Sequence, residues 1–474
     1  MKDSYTNVDD VDVGPGTRSF VSPTGTRYFI ESYDDTKPPA TYHLAPRPTL
    51  QALFDGKCTG TLTRRALESG NRNGVKISSA SFQAYKKRNE DRVFIHEFGE
   101  GLLFGVFDGH GGDALSEHAS RTLPPLLASA LLEALANVSG DHPDLESENS
   151  ASDTSLHRVA AVEATLVTTF QQFDATLLKN VLDVISSKPS EEWTKEEAVK
   201  MMELHKDVVR KAITGTTALV GFLASNRRDL WVASLGDCEA LVGKDIERKN
   251  QHFEALNELH NCKNPAELER IKNEHPDEKS LVSPQGRVLR ALAVTRALGD
   301  MMFKVDPEIS HRILKYSAPC FVSSQTISEW CTVHKTPPYI SSTPSVRHYF
   351  VDAGDVFVLA SDGLRDSLQA QVKDVTVSKQ ERAELFTVLA HVGEESPNLR
   401  NGLDQSFSHW QEKIGHGFLK DKEEQNVAKR VIENVLFGVD DRKMARELTM
   451  EFAQSTAMPH LQDDISVIVV NVVR

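Results

Sequence analysis

FGVFDGHGG, residues 104–112, is the stretch whose reading decides the fold, because it sets a carboxylate at the mouth of a buried strand. Phe104, Gly105, Val106 and Phe107 form a short apolar run of strand type, and Asp108 ends it. Gly109, Gly111 and Gly112 then let the backbone turn tightly around whatever the carboxylate holds. Taken alone the block also reads as a strand, an Asp-Gly turn and a helix start, with Asp108 or Asp113 as an N-cap. Other carboxylate-bearing strand ends weigh against that reading. RNEDR (88–92) precedes the apolar pair Val93 and Phe94, and in DLWVASLGDCEALVG (229–243) Asp237 follows a strand and a Gly. LAVTRALGD (292–300) ends in Asp300, VFVLASDGLRD (356–366) carries Asp362, and in LQDDISVIVVNVV (461–473) Asp463 and Asp464 open a strand.

Each of these acids, by itself, is ordinary turn chemistry. Gathered on one fold they repel unless cations lie between them. An all-oxygen donor set of this kind suits Mg²⁺ or Mn²⁺ rather than zinc. A zinc hydrolase built on His110 and His118 has only an i, i+8 pair, with no clustered Cys or third His.

The order ED, FGVFDGHGG, GTTALV, LGD, TRALGD, SDGL, DDISVIVV resembles the type 2C metal-dependent protein serine/threonine phosphatases from about Ser78 to Arg474. Four further strings resemble the pyruvate dehydrogenase phosphatase-like branch: residues 264–282, 286–300, 336–344 and 426–438. The resemblance implies an α+β fold, an α/β/β/α sandwich of two mixed, largely antiparallel sheets flanked by helices. It implies a phosphatase domain over 78–474 with a flap region near 304–347, while composition reads 138–155 as an acidic insert and 1–77 as an arm, partly extended or disordered. It also implies hydrolysis of phosphoserine and phosphothreonine by a water activated at two Mg²⁺ or Mn²⁺ ions, with a weaker third ion in some members. The substrate is then a phosphoprotein, with the pyruvate dehydrogenase complex as the candidate the branch suggests; a regulatory subunit is not legible. The alternative from another class is a pseudophosphatase that binds a partner without catalysis.

The same resemblance assigns roles. Asp108 bridges the two ions and the Gly109 carbonyl joins one of them, while Asp300 and Asp463 hold the other; Asp464 competes with Asp463 for that match. Glu90 and Asp91 match the pair that orients metal-held waters, and Asp237 with Asp300 matches the site of the weaker ion. Asp362 is either a partner of such waters or a turn residue. His110 matches the proposed general acid, and its bland alternative is a hydrogen bond that orients Asp108. The family often has an Arg four residues before the Glu of ED, where this chain has Lys86, a point charge without the bidentate fork.

Composition sets bounds. The chain has 474 residues, 39% hydrophobic and 26% charged, and a formal net charge of −14, which argues against a nucleic-acid binder. Five cysteines, widely spaced and without a CxxC, read as reduced and not zinc-binding. The acidic start lacks the marks of a signal or transit peptide, and the apolar run 465–473 is too short to span a membrane. These features predict a soluble intracellular protein, of the cytoplasm or the mitochondrion.

Local patterns predict the elements. Residues 114–136 are a helix candidate in which Pro124 and Pro125 force a break or a fresh start, and 138–155 read as a polar surface loop or disordered insert. Val159, Val162, Leu166, Phe170, Phe173 and Leu177 have the rhythm of an amphipathic helix. Residues 212–223 and 230–242 read as an antiparallel hairpin, Asn264-Pro265 opens a helix, and Gly438 looks like a C-cap. If Lys86 is the phosphate contact, Lys86→Ala raises KM about tenfold, because one charge-assisted hydrogen bond is lost. Turnover changes less, and steady-state kinetics on a phosphopeptide reads both constants.

Overall fold

The computed structural model describes residues 17–21, 27–31, 40–65, 74–84, 88–140, 148–186, 189, 192–244, 251–312, 314, 316, 332–372, 375–391, 407–419, 426–449 and 463–473. Lys86 lies outside the described residues. The chain divides into two compact units, one of residues 1–89, 242–254 and 354–474, the other of residues 90–241 and 255–353. Both are mixed α+β, with antiparallel sheets flanked by helices, as the family resemblance implies.

The second unit carries FGVFDGHGG. Its five-stranded sheet runs in the order Ser345–Phe350, Asp229–Leu235, Ala218–Ala224, Gly101–Phe107, Arg92–Phe98, every neighbour antiparallel. Residues 103–107 are all buried, which is why the run is continuously apolar and not alternating. Phe94 lies on Phe107 at 5.5 Å between ring centroids, and Phe222 stacks on Trp231 at 5.4 Å. Two long helices, Ala114–Gly140 and Glu148–Ile185, close this core with Leu115, Leu123, Leu127, Leu166, Phe170 and Leu177.

Three expectations change here. The Ala114–Gly140 helix is continuous through Pro124 and Pro125. Each interior Pro costs about 3 kcal/mol, whereas Leu115, Leu123, Leu127, Leu131 and Leu135, all buried, contribute about 1.5–3 kcal/mol apiece. Packing therefore outweighs the two missing backbone bonds. The second helix already begins at Glu148, inside the polar stretch read as a loop. The hairpin is real, with Ala218 opposite Leu235 and Leu223 opposite Leu230. Its first arm starts later than expected, because residues 206–213 are the helix Lys206–Ile213. Its second arm ends at Leu235, where Gly236 adopts a φ of +107° and a new strand, Glu239–Lys244, starts in another sheet. A Cβ on Gly236 would lie 2.5 Å from Thr217 Cγ2.

In the other unit a six-stranded sheet has the order His252–Ala255, Glu239–Lys244, Val356–Ala360, Ile465–Val472, Val75–Phe82, Cys58–Arg65. Ile465–Val472 pairs antiparallel with both Val75–Phe82 and Val356–Ala360. The Val427–Leu436 helix packs on it; Asn426 caps its start through the Lys429 amide, and Gly438 closes its end at a φ of +52°. That agrees with the C-cap expected of Gly438. A separate three-stranded antiparallel sheet holds Thr17–Val21, Arg27–Glu31 and Ala40–His43. Among the described residues no helix is long and apolar enough to cross a membrane.

A tight turn at Val288–Leu292 places two consecutive non-glycine residues in the left-handed region, Leu289 at a φ of +46° and Arg290 at +64°. That conformation costs an L-residue about 1–2 kcal/mol. Leu289 offsets it by full burial, whereas Arg290 is exposed. Arg290→Gly should therefore stabilise this unit by about 1 kcal/mol, seen as a higher midpoint in chemical denaturation; a lower midpoint would mean that the side chain outweighs the strain.

Candidate active site

The site grows out of the end of the Gly101–Phe107 strand. Past Phe107 the chain leaves the large sheet at Asp108, whose amide donates to Thr217 Oγ1 at 3.2 Å and whose carbonyl accepts from the Thr217 amide at 2.9 Å. Gly109–His110 then pairs with Gly215–Thr216, which pairs in turn with Leu298–Gly299. Three strands of two residues each thus form a small sheet that sets Asp108, Gly109 and His110 beside Asp300.

His110 Nε2 lies 2.8 Å from Asp300 Oδ2. Gly215 lies between their backbones: a Cβ there would meet His110 Nε2 at 2.1 Å and Asp300 Oδ2 at 2.3 Å. Any side chain at 215 would push the pair apart. Gly109 is pressed in the same way, with a Cβ position 2.5 Å from the Glu90 carbonyl and 2.7 Å from Ser116 Oγ. Ser116 Oγ itself donates to that carbonyl at 2.6 Å, tying the ED segment to the first turn of the Ala114–Gly140 helix. Arg92 adds to the tie, bonding Glu117 through Nε and Asp113 Oδ2 through Nη2 at 3.2 Å.

Asp91, Asp108, Asp237 and Asp300 are all buried in this unit. Burial pushes the Cys238 thiol well up, and Asp108, Asp237 and Asp91 push it further, against a hydrogen bond with Thr217 Oγ1 at 3.1 Å. Cys238 is therefore a buried thiol, not a nucleophile. Burial alone would lower the His110 imidazole, but Asp300, with Asp237 and Glu90, raises it above its ordinary value. These acids favour the protonated ring.

As donors, four buried carboxylates suit a hard divalent cation. Among the described residues, however, no group of three or more His, Cys, Asp or Glu side chains is gathered closely enough to hold a metal ion. The zinc alternative loses its second ligand, because His118 stacks on Phe173 at 5.7 Å and bonds Thr122 Oγ1 at 3.3 Å. Asp463 and Asp464 belong to the other unit. Asp464 is buried and accepts the Ala84 amide at 2.9 Å, while Asp463 accepts the Asp464 amide at 2.9 Å. Asp362 opens the Asp362–Gln371 helix in that unit, 3.7 Å from Arg365.

Two braces were not legible in the sequence. The first holds the Asp237 turn. Asn257 accepts the Ala240 amide at 2.8 Å and donates to Ser234 Oγ at 2.8 Å and the Cys238 carbonyl at 2.9 Å. Asn261 donates to Asp237 Oδ2 at 3.3 Å, and His260 Nδ1 accepts the Gly236 amide at 3.2 Å. The second brace is Glu267, buried on the Pro265–Glu274 helix, which accepts from Arg296, Arg270 and Thr295 Oγ1 at 2.5–3.3 Å. These cations hold its carboxyl far below the usual carboxylate range even though burial opposes them. It anchors the VTRALGD segment that delivers Asp300. The one available signal was Asn264-Pro265 with Glu267 in the first turn, which reads as capping and not as a clamp.

Against known proteins, residues 130–384, just over half of the chain, match the family model described as Protein phosphatase 2C. The human mitochondrial [pyruvate dehydrogenase [acetyl-transferring]]-phosphatase 1 is 27% identical over 417 residues, 78% of this chain and 72% of that protein. The human mitochondrial phosphatase 2 of the same name is 28% identical over 362 residues, 69% of this chain and 65% of that one. A solved serine-threonine phosphatase 2C from Toxoplasma gondii covers 87% of this chain and 99% of its own at 16% identity, with a TM-score of 0.46.

His260 makes the site region acid-sensitive. Burial, with Arg296, lowers its pKa from 6.5 to about 4, and its Nδ1 is occupied as an acceptor. Because the folded value lies below the unfolded one, its stabilisation is complete above pH 6.5 and is lost as pH falls toward 4. The loss is about 3 kcal/mol at most. His260→Asn should flatten the denaturation profile between pH 6.5 and 4 relative to wild type; an unchanged slope would assign the acid limb to other groups.

Proposed function

The chain belongs to the protein phosphatase 2C family and is a protein serine/threonine phosphatase, and we propose that it hydrolyses phosphoserine and phosphothreonine with the aid of Mg²⁺ or Mn²⁺ at the Asp108–Asp300 site. The small sheet that sets Asp108, Gly109 and His110 beside Asp300 carries this reading. The names of the relatives support the pyruvate dehydrogenase complex as substrate and, of the two compartments left open by the sequence, the mitochondrion. The domain is read as residues 78–474. The pseudophosphatase alternative rests on Lys86, and no described feature favours it.

In this proposal Asp108, the Gly109 carbonyl and Asp300 hold the metal ions, with Glu90 and Asp91 orienting waters and Asp237 serving a weaker third ion. The sequence resemblance alone adds Asp463 to this set, with Asp464 as its competitor. Bound there, such ions would supply a nucleophilic water and charge neutralisation on the phosphoryl oxygens. The residues of the chain do the rest. His110, whose protonated form Asp300 favours by pairing with Nε2, gives a proton to the departing serine or threonine oxygen directly or through a water. Gly215 leaves room for the pair, and Thr217 fixes the backbone of Asp108 on both sides of its peptide.

Phosphate release from a phosphoserine peptide should require millimolar Mg²⁺ or Mn²⁺. Asp108→Asn should lower turnover by about two orders of magnitude or more, as loss of a main charge-stabilising group does. Full activity in excess chelator would refute the metal-dependent reading. His110→Ala should slow a phosphoserine peptide more than p-nitrophenyl phosphate, since an aryl oxide leaves without a proton. Equal losses on the two substrates would assign His110 an orienting role only.

A further inference from the structure

Asp174, on the Glu148–Ile185 helix, is a buried carboxylate that the proposed chemistry does not use. Its Oδ1 accepts the Gly299 amide at 2.8 Å, and its Oδ2 pairs with Lys304 Nζ at 2.8 Å. Lys304 Nζ also donates to the Ala297 carbonyl at 2.8 Å. Both side chains of the pair are less than a tenth exposed. The three groups so tied, on Ala297, Gly299 and Lys304, flank Asp300 on both sides.

The turn they enclose is an unusual one. Gly299 has a φ of +76° and Asp300 a φ of +52°, two left-handed residues in succession. A Cβ on Gly299 would lie 2.2 Å from the Thr214 carbonyl, so the backbone is already in close contact there. Asp300 pays the usual steric cost of the left-handed region for an L-residue, and an extended alternative would swing its carboxylate off His110. Something outside the turn must hold it, and the Asp300 amide to Thr214 bond, 3.1 Å, is one such tie. The bond from Gly299 to Asp174 is a second.

We propose that Asp174 is a positioning residue: by accepting the Gly299 amide it holds the left-handed turn that aims Asp300 at His110, with Lys304 neutralising its buried charge. The inference rests on the phosphatase reading only for what Asp300 then does, and not for what Asp174 holds.

Two charge-balanced double variants separate positioning from mere packing. Asp174→Asn with Lys304→Met keeps an acceptor for Gly299, whereas Asp174→Ala with Lys304→Met removes it. Both lack the ion pair and its charges. The Ala form should show Gly299 amide exchange at least about tenfold faster than the Asn form, Mn²⁺ affinity by calorimetry about tenfold weaker, and kcat about tenfold lower with KM little changed. Equal exchange, Mn²⁺ affinity and kcat in the two doubles would overturn the proposal, leaving Asp174 a packing residue. Should neither double fold, wild type still decides: a Gly299 amide as slow to exchange as Val220 in the central sheet supports the proposal, and one as fast as exposed loop amides refutes it. If wild type releases no phosphate with Mn²⁺, the phosphatase reading fails, and the exchange measurements still judge Asp174.

Discussion

Everything at the site depends on the absence of a side chain at position 215. Two strands of two residues each, Gly109–His110 and Leu298–Gly299, flank Gly215–Thr216, and the His110–Asp300 pair forms across the glycine. A Cβ would overlap the ends of both side chains at once, so the two would have to turn away and the pair would break. In the proposed mechanism the pair would join the general acid to the carboxylates that hold the metal. An imidazole beside dications would ordinarily lose its proton; the carboxylate at 2.8 Å works in the opposite direction.

So short a sheet has little stability of its own, and its order is imposed from outside. Thr217 fixes Asp108 through backbone and side chain. Glu267 is buried and holds Thr295 and Arg296, five and four residues ahead of Asp300, in a network with the half-buried guanidiniums of Arg270 and Arg296. Breaking such a network by removing one partner leaves a buried charge without compensation, which is strongly destabilising. Asn257, His260 and Asn261 hold the Asp237 turn in the same manner, through neutral donors and acceptors. The carboxylates that would meet cations are thus supported by residues held in place by hydrogen bonds and ion pairs.

Acidity and burial together also explain what the site is not. Cys238 is adjacent in sequence to Asp237 and surrounded by acids, so its thiol is held protonated and is unsuited to attack. His118 is absorbed into packing against Phe173. What remains beside Asp300 is carboxylate oxygen and the His110 imidazole, which fits the hydrolysis proposed.

The sequence by itself determined the apolar strands, the acids at their ends and the family to which their order belongs, because short buried strands and Asp-Gly turns leave strong local marks. It also located the Val159–Leu177 helix face, the Asn264 cap and the Gly438 C-cap, all of them properties of a few adjacent residues. It misjudged Pro124 and Pro125, since the burial that holds that helix together comes from partners far along the chain. It ran one strand through Gly236, where crowding against Thr217 forces a turn. The Asp174, Glu267 and Asn257 braces were invisible for the same reason. A buried carboxylate or amide has no periodicity, and its role depends on which distant backbone groups folding sets beside it. Only the tertiary structure decided that Asp300 faces His110, because that meeting joins residues 190 positions apart across a glycine too small to prevent it.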